Sequence, residues 1–221
     1  MVRRLAYPEI PIQLHSFSSH AVSPEGSVVV MPRVAISDPG DTITFNCSSQ
    51  GGPGNSYHWQ RNGTELPTET SDTLIIVNVN ASVGGDYTCA VSNNAGSDSA
   101  TTTLYITPVM VTQPMSINTT IGTVVHLTCR AEGFPSPTYT WTKDGVNQSA
   151  ILVPITDGDG TSILEFSPVE FGNEGAYQCM ASSVITFSDP VAGGMTLHPA
   201  ESDIATLTGM DVHSQPHVVM T

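Results

Sequence analysis

Four cysteines are the residues in this chain best suited to chemistry, and their spacing decides which chemistry. They fall as two well-separated sets, Cys47 and Cys89, then Cys129 and Cys179, each enclosing one tryptophan, Trp59 or Trp141. Thiols serve as metal ligands, nucleophiles or disulfide partners, and each use has its own spacing. There is no Cys-x-x-Cys, and His126 is the one histidine close in sequence to a cysteine, so a zinc site is not expected. His15, His20, His213 and His217 fall near the chain ends, and His58 alternates with Trp59 and is expected to face solvent. Asp157-Gly158-Asp159-Gly160 offers two carboxylates without further ligands, which reads as a solvated turn rather than a calcium loop. No serine sits in a nucleophile elbow and no glycine-rich loop opens a helix. The expectation is therefore no catalytic residue, no metal and no cofactor.

The elements that hold the cysteines are strands. Ile43, Phe45 and Cys47 alternate, as do Tyr87, Cys89 and Val91, so each set shares one face of an extended segment. Two inward cysteines at mid-strand can bridge facing sheets, with the indole filling space beside the sulfurs. A tyrosine two positions before the second cysteine can turn its hydroxyl back to the chain.

The two halves match offset by offset. Counting back from the first cysteine of each, a proline lies fifteen before (Pro32, Pro114) and a glycine seven before (Gly40, Gly122). Apolar residues follow at four and two before: Ile43 and Phe45, then Val125 and Leu127. Tryptophan comes twelve after, and a turn glycine four beyond it (Gly63, Gly145). Before the second cysteine, Leu74, Ile76 and Val79 match Leu164, Phe166 and Val169. Gly85 and Gly175 lie four before, and Tyr87 and Tyr177 two before. Asn62-Gly63 and Asp144-Gly145 supply the positive φ values of a tight hairpin after each tryptophan strand. So many agreements in register mean two domains of one fold.

The chain has 221 residues, six basic and twenty acidic, for a net charge of −14. That charge repels phosphate backbones, anionic lipid and sulfated glycans, which argues against nucleic acid and membrane surfaces as partners. The longest aliphatic run, Val28 to Met31, is too short to cross a bilayer, and the N-terminus lacks the apolar core of a signal peptide. An extracellular protein beginning this way is expected to be a fragment of a longer one, the alternative being an incomplete gene model.

The pattern Gly-x-x-Ile-x-Phe-x-Cys, Trp-x-x-x-Gly, Leu-x-Ile-x-x-Val and Gly-x-Tyr-x-Cys resembles immunoglobulin-like domains of the intermediate type, found in cell-adhesion molecules, receptor ectodomains and giant muscle proteins. The resemblance implies an all-β fold of two tandem sandwiches with poorly ordered termini. It pairs Cys47 with Cys89 and Cys129 with Cys179, and places Trp59, Tyr87, Trp141 and Tyr177 in the cores. One feature departs from the family. An aspartate is usual six before the second cysteine, pairing with an arginine at the base of the sandwich, and Val83 and Asn173 stand there instead.

The expected division is residues 1–27 as a leader or the end of a preceding module, 28–107 and 108–199 as the two domains, and 200–221 as a linker or stalk. The segment Asn147 to Thr161 is longer than its first-half counterpart and is expected to add an edge strand or loop. The last strand of the second domain is placed at Met195 and Leu197. The junction from Tyr105 to Val111 has no glycine-rich spacer, so the pair should be extended and semi-rigid.

Five sequons, at Asn46, Asn62, Asn80, Asn118 and Asn147, are candidates for N-glycans, Asn46 being the weakest because Cys47 occupies its middle position. These and the cysteine sets imply an extracellular protein, secreted or the ectodomain of a membrane protein. The resemblance further implies a segment binding other proteins, homophilically or at a cell surface or matrix, through the sheet that carries the tryptophan strand and last two strands. In the first domain its outward residues are His58, Gln60, Thr88, Ala90, Thr103 and Tyr105, a nearly uncharged set. The competing expectation is a spacer in an array of such domains, in extracellular matrix or inside muscle, with no partner of its own.

Overall fold

The computed structural model describes residues 27–50, 54–147, 155–186 and 194–210. Of the leader expected over residues 1–27 all but Ser27 lies outside them, as does the stretch 211–221. Strand is the dominant secondary structure of the described residues, with one short 3-10 helix at Ala81–Val83.

In the first half the strands are β1 Val29–Met31, β2 Val34–Ser37, β3 Ile43–Ser48, β4 Ser56–Arg61, β5 Thr64–Leu66, β6 Thr73–Ile76, β7 Gly85–Asn93 and β8 Gly96–Thr112. One layer is the antiparallel set β1-β3-β6; the other runs β8-β7-β4-β5, with β2 added parallel to β8. Alternation along β3 and β7 buries Phe45, Cys47, Tyr87, Cys89 and Val91 between the layers, around a fully buried Trp59. The Trp59 indole donates to the Ser71 carbonyl at 2.9 Å, so its one polar group is satisfied in the core.

The second half has β9 Ile117–Thr120, β10 Val125–Phe134, β11 Thr138–Lys143, β12 Val146–Asn147, β13 Ile155–Thr156, β14 Ser162–Phe166, β15 Gly175–Ser182, β16 Val184–Thr186, β17 Gly194–Thr196, β18 Ala200–Glu201 and β19 Ala205–Met210. Its core of Leu127, Cys129, Trp141, Leu164, Phe166, Tyr177 and Cys179 repeats the first. Trp141 donates to the Ser162 hydroxyl at 3.0 Å.

The matched offsets acquire mechanical roles. Pro32 and Pro114 each lie between a strand in one layer and a strand in the other. β1 pairs with β3 and β2 with β8; the end of β8 pairs with β10 and β9 with β19. Proline interrupts the ladder there because it has no N–H to donate. Gly40 and Gly122, at φ 96° and 90°, donate to Val79 and Val169, which donate back to Asp41 and Thr123. Asn62, Gly63, Asp144 and Gly145 all have positive φ, closing the β4–β5 and β11–β12 hairpins.

Two expectations need correction. The second sandwich does not end at Pro199. β19 pairs with β15 and β9, and Ala205 and Leu207 are fully buried in its core, so residues 200–210 are not stalk. β17, with Met195, is not the last strand of the sandwich; it pairs only with β16, in a separate two-stranded hairpin. The segment 147–161 contributes a short edge strand, β13, beside β14, and residues 148–154 within it lie outside the description.

β8 is shared. Its first part pairs with β7 and its last part with β10, giving one hydrogen-bonded path β13-β14-β10-β8-β7-β4-β5 through both sandwiches. Gly133 allows this approach, since a Cβ there would lie 3.0 Å from the Pro108 Cα.

Candidate interaction face and the sandwich base

The cysteines are used up structurally. Cys47–Cys89 and Cys129–Cys179 are disulfides with Cα separations of 6.4 and 6.5 Å, and no cysteine is free among the described residues. His126 faces Glu165 across β10 and β14 at 3.2 Å, an exposed pair. Asp157 Oδ1 accepts from the Asp159 and Thr161 amides, so this carboxylate caps its own turn.

At the base of each sandwich the tyrosine hydroxyl turns back as expected. Tyr87 donates to the Val83 carbonyl at 2.7 Å and Tyr177 to the Asn173 carbonyl at 2.6 Å. Burial pushes both hydroxyls above their usual range, Tyr177 to about 12 with the Asp144 carboxylate adding to the effect. Both therefore stay protonated and donate. The missing aspartate is replaced by backbone. Arg61 donates to the Ser82 carbonyl and to Gly84 O at 2.9 Å, and Lys143, at the matching position, donates to the Gly172 carbonyl. A cation two residues after each tryptophan thus ties down the loop before the second cysteine, whatever residue stands six before it.

The outward side of β4, β7 and β8 carries five of the six residues proposed for binding as one open surface. Register sets His58 beside Ala90 and Gln60 beside Thr88, with Thr88 beside Thr101. His58 and Thr101 are exposed, and Gln60, Thr88, Ala90 and Thr103 are half-buried. The polar groups are tied laterally: Gln60 to Glu65 at 2.6 Å, Thr88 to Thr101 at 2.8 Å, Thr103 to Asp86 at 2.6 Å. The face is thus neutral through its middle, with two carboxylates at its margins, Asp86 on β7 and Glu65 on the neighbouring β5. Tyr105 departs from the set, because its ring stacks on Phe134 of the second sandwich, centroids 6.4 Å apart. Sequence reasoning missed Val34 and Ile36 on β2, which lie beside Thr103 and Tyr105 and are 40% and 42% exposed. Nothing in Val34-Ala35-Ile36 reveals which residue of an all-apolar run turns outward.

Two sandwiches stapled through their cores and joined by a common strand define a tandem pair of β-sandwich domains. The chain belongs to the immunoglobulin domain family, whose family model, described as immunoglobulin domain, matches residues 26–93 and 107–183. It is 30% identical to a peroxidasin homolog of Mus musculus over 75% of this chain, and 33% identical to neural cell adhesion molecule L1 of Takifugu rubripes over 65%. It is 32% identical to Roundabout homolog 1 of Homo sapiens over 70%. The aligned region spans 12%, 12% and 11% of those proteins. Among solved structures, one described as the structural basis for Dscam isoform specificity matches 88% of this chain and 47% of its own, at TM-score 0.58 and 25% identity. A titin A168–A169 structure matches 87% of this chain and 100% of its own at TM-score 0.55, with 20% identity, a likeness of fold. No helix of the described residues is long and apolar enough to cross a membrane.

Proposed function

We infer that this chain is a protein-binding segment of an extracellular adhesion molecule or receptor, non-catalytic in itself, and that it binds through the β4-β7-β8 face of its first domain. The observation that carries this reading is the neutral middle of that face on a chain of net charge −14. A partner, including a second copy of this acidic chain, can approach there without desolvating an unpaired charge. His58, Ala90 and Thr101 supply a flat contact at its centre, with exposed Val34 and Ile36 at its β2 margin. The naming of L1 as an adhesion molecule supports the class of function.

A second reading, a spacer within a domain array, is favoured by a different feature. The shared strand β8 and the Tyr105–Phe134 stack suit a module that sets distance and direction. Bead aggregation separates the two. His58→Asp and Ala90→Asp, singly and together, should reduce aggregation of chain-coated beads, or retention of beads by cells bearing a partner. Unchanged retention by both variants would leave the face as solvated sheet and the spacer reading in place.

A further inference from the structure

The outer face of the opposite sheet, β1-β3-β6, is unlike that of β4-β7-β8, since it carries large exposed apolar side chains. Met31 on β1 is 51% exposed and Ile75 on β6 is 59% exposed. Asn46 lies between them. In register it is directly opposite Met31 on one side and Thr73 on the other, and Ile75 lies two positions along β6 from Thr73. Directly opposite residues on one face stand about 5 Å apart and diagonal ones about 7–8 Å. Asn46 is exposed although it sits at mid-strand, because it alternates with buried Phe45 and Cys47. Its Oδ1 accepts from the Thr73 hydroxyl at 3.4 Å, which holds the side chain without using Nδ2.

We propose that Asn46 is N-glycosylated and that its first sugars cover Met31 and Ile75, closing the outer face of the β1-β3-β6 sheet. In the transfer, Asn46 Nδ2 bonds to the anomeric carbon of a lipid-diphosphate-linked oligosaccharide. The bond from that carbon to the diphosphate breaks, the lipid diphosphate leaves with the bonding pair, and the amide proton passes to solvent. The sugar then stands over the sheet from its middle strand. Its C–H faces meet the thioether and the isoleucine, and its hydroxyls meet water, so apolar area that would otherwise invite association is removed from solvent. One domain would thus have a closed sheet and an open one, leaving β4-β7-β8 as the contact surface.

The other sequons are placed differently. Asn62 Oδ1 accepts from the Asp86 amide within its turn, and Asn80 Oδ1 takes both the Ser82 amide and the Ser82 hydroxyl, the latter at 2.6 Å. Asn118 and Asn147 lie in the second domain.

The proposal rests on the extracellular reading, and one experiment tests them separately. The 221-residue chain is secreted from cultured animal cells behind a signal sequence, and glycosidase release in heavy-oxygen water marks each occupied asparagine. Met31 oxidation by dilute peroxide is then timed by mass spectrometry against Met115, in the native chain and in Ser48→Ala, which deletes the sequon and keeps Asn46. The expected result is an occupied Asn46, and Met31 oxidation about threefold faster in Ser48→Ala with Met115 unchanged, since oxidation follows thioether exposure. Glycans at Asn118 or Asn147 with Asn46 bare would overturn the proposal and leave the extracellular reading standing. Occupied Asn46 with an unchanged Met31 rate would overturn the covering. A chain retained in the cells with every sequon bare would overturn both.

Discussion

Phe134 occupies the space that a side chain on Gly84 would need. A Cβ at Gly84 would overlap both Cβ and Cγ of Phe134. Gly84 has φ −59°, a value any residue adopts, so the glycine answers to the close approach and not to the backbone. The same ring stacks on Tyr105 and packs against the first core from the second domain. One aromatic side chain therefore fixes how the two sandwiches meet, beside the strand they share.

Gly84→Val should expel that ring and change the angle between the domains while each keeps its fold. Residual dipolar couplings measured for both domains would report it; one alignment tensor fitting both domains, unchanged from the native protein, would refute the role. Phe134→Ala should destabilise by about 1–2 kcal/mol, below the range for a fully buried phenylalanine because the ring is half-buried.

Asn62 and Asp144 do one job in the two domains. Each has a left-handed φ, 48° and 51°, and accepts from the amide of the residue after a positive-φ glycine, Asp86 and Ala176 respectively, at 2.9 and 2.8 Å. Asn62→Asp should therefore leave the urea midpoint nearly unmoved. Asn62→Ala should lower stability by about 1–2 kcal/mol, losing the hydrogen bond and straining the turn. An equal loss in both variants would point to something other than the shared cap.

Tyr177 gives a pH signature. Its folded pKa, raised to about 12, lies above the unfolded value of 10.0. Between those values the unfolded chain holds fewer protons than the folded one, so stability present below about pH 10 is lost as pH rises toward 12. Tyr177→Phe should be less stable at neutral pH by about 1 kcal/mol, the worth of its hydrogen bond to Asn173. It should also show a shallower loss above pH 10 in denaturant titrations. A parallel loss in both proteins would assign the alkaline transition elsewhere.

The disulfides close loops of 42 and 50 residues. In the chain-entropy model each is worth about 4 kcal/mol, a large share of the roughly 5–15 kcal/mol that holds a domain. Reduction with a thiol should shift the urea midpoint down by an amount matching that loss per domain, and a midpoint that does not move would show that the packed cores suffice.

The matched offsets made the fold legible, because each is a local demand. A tight hairpin needs positive φ at Asn62-Gly63 and Asp144-Gly145. A mid-strand cysteine needs alternating neighbours, and a crossover between layers suits proline at 32 and 114. The last strand of the second domain was misplaced for a reason of the same kind. Met195 and Leu197 alternate as a strand should, and they fall close to the offset at which the first domain has its own. Ala205-Thr206-Leu207 carries a weaker apolar signal. Only the ladders, with Leu207 opposite Gly175 as Leu104 is opposite Gly85, show which segment the sheet takes up.

By itself the sequence determined two stapled sandwiches, the residues of their cores and the turns that close their hairpins. These follow from period, spacing and the few residues a turn or a bridge accepts. The tertiary structure decided what depends on residues far apart in the chain. It placed Phe134 against Gly84, drew Tyr105 out of the open face into the joint between domains, and gave Arg61 and Lys143 backbone carbonyls in place of the missing aspartate. It also set Asn46 beside Met31 and Ile75. Strand alternation says that a side chain points outward; only the register of neighbouring strands says what it meets there.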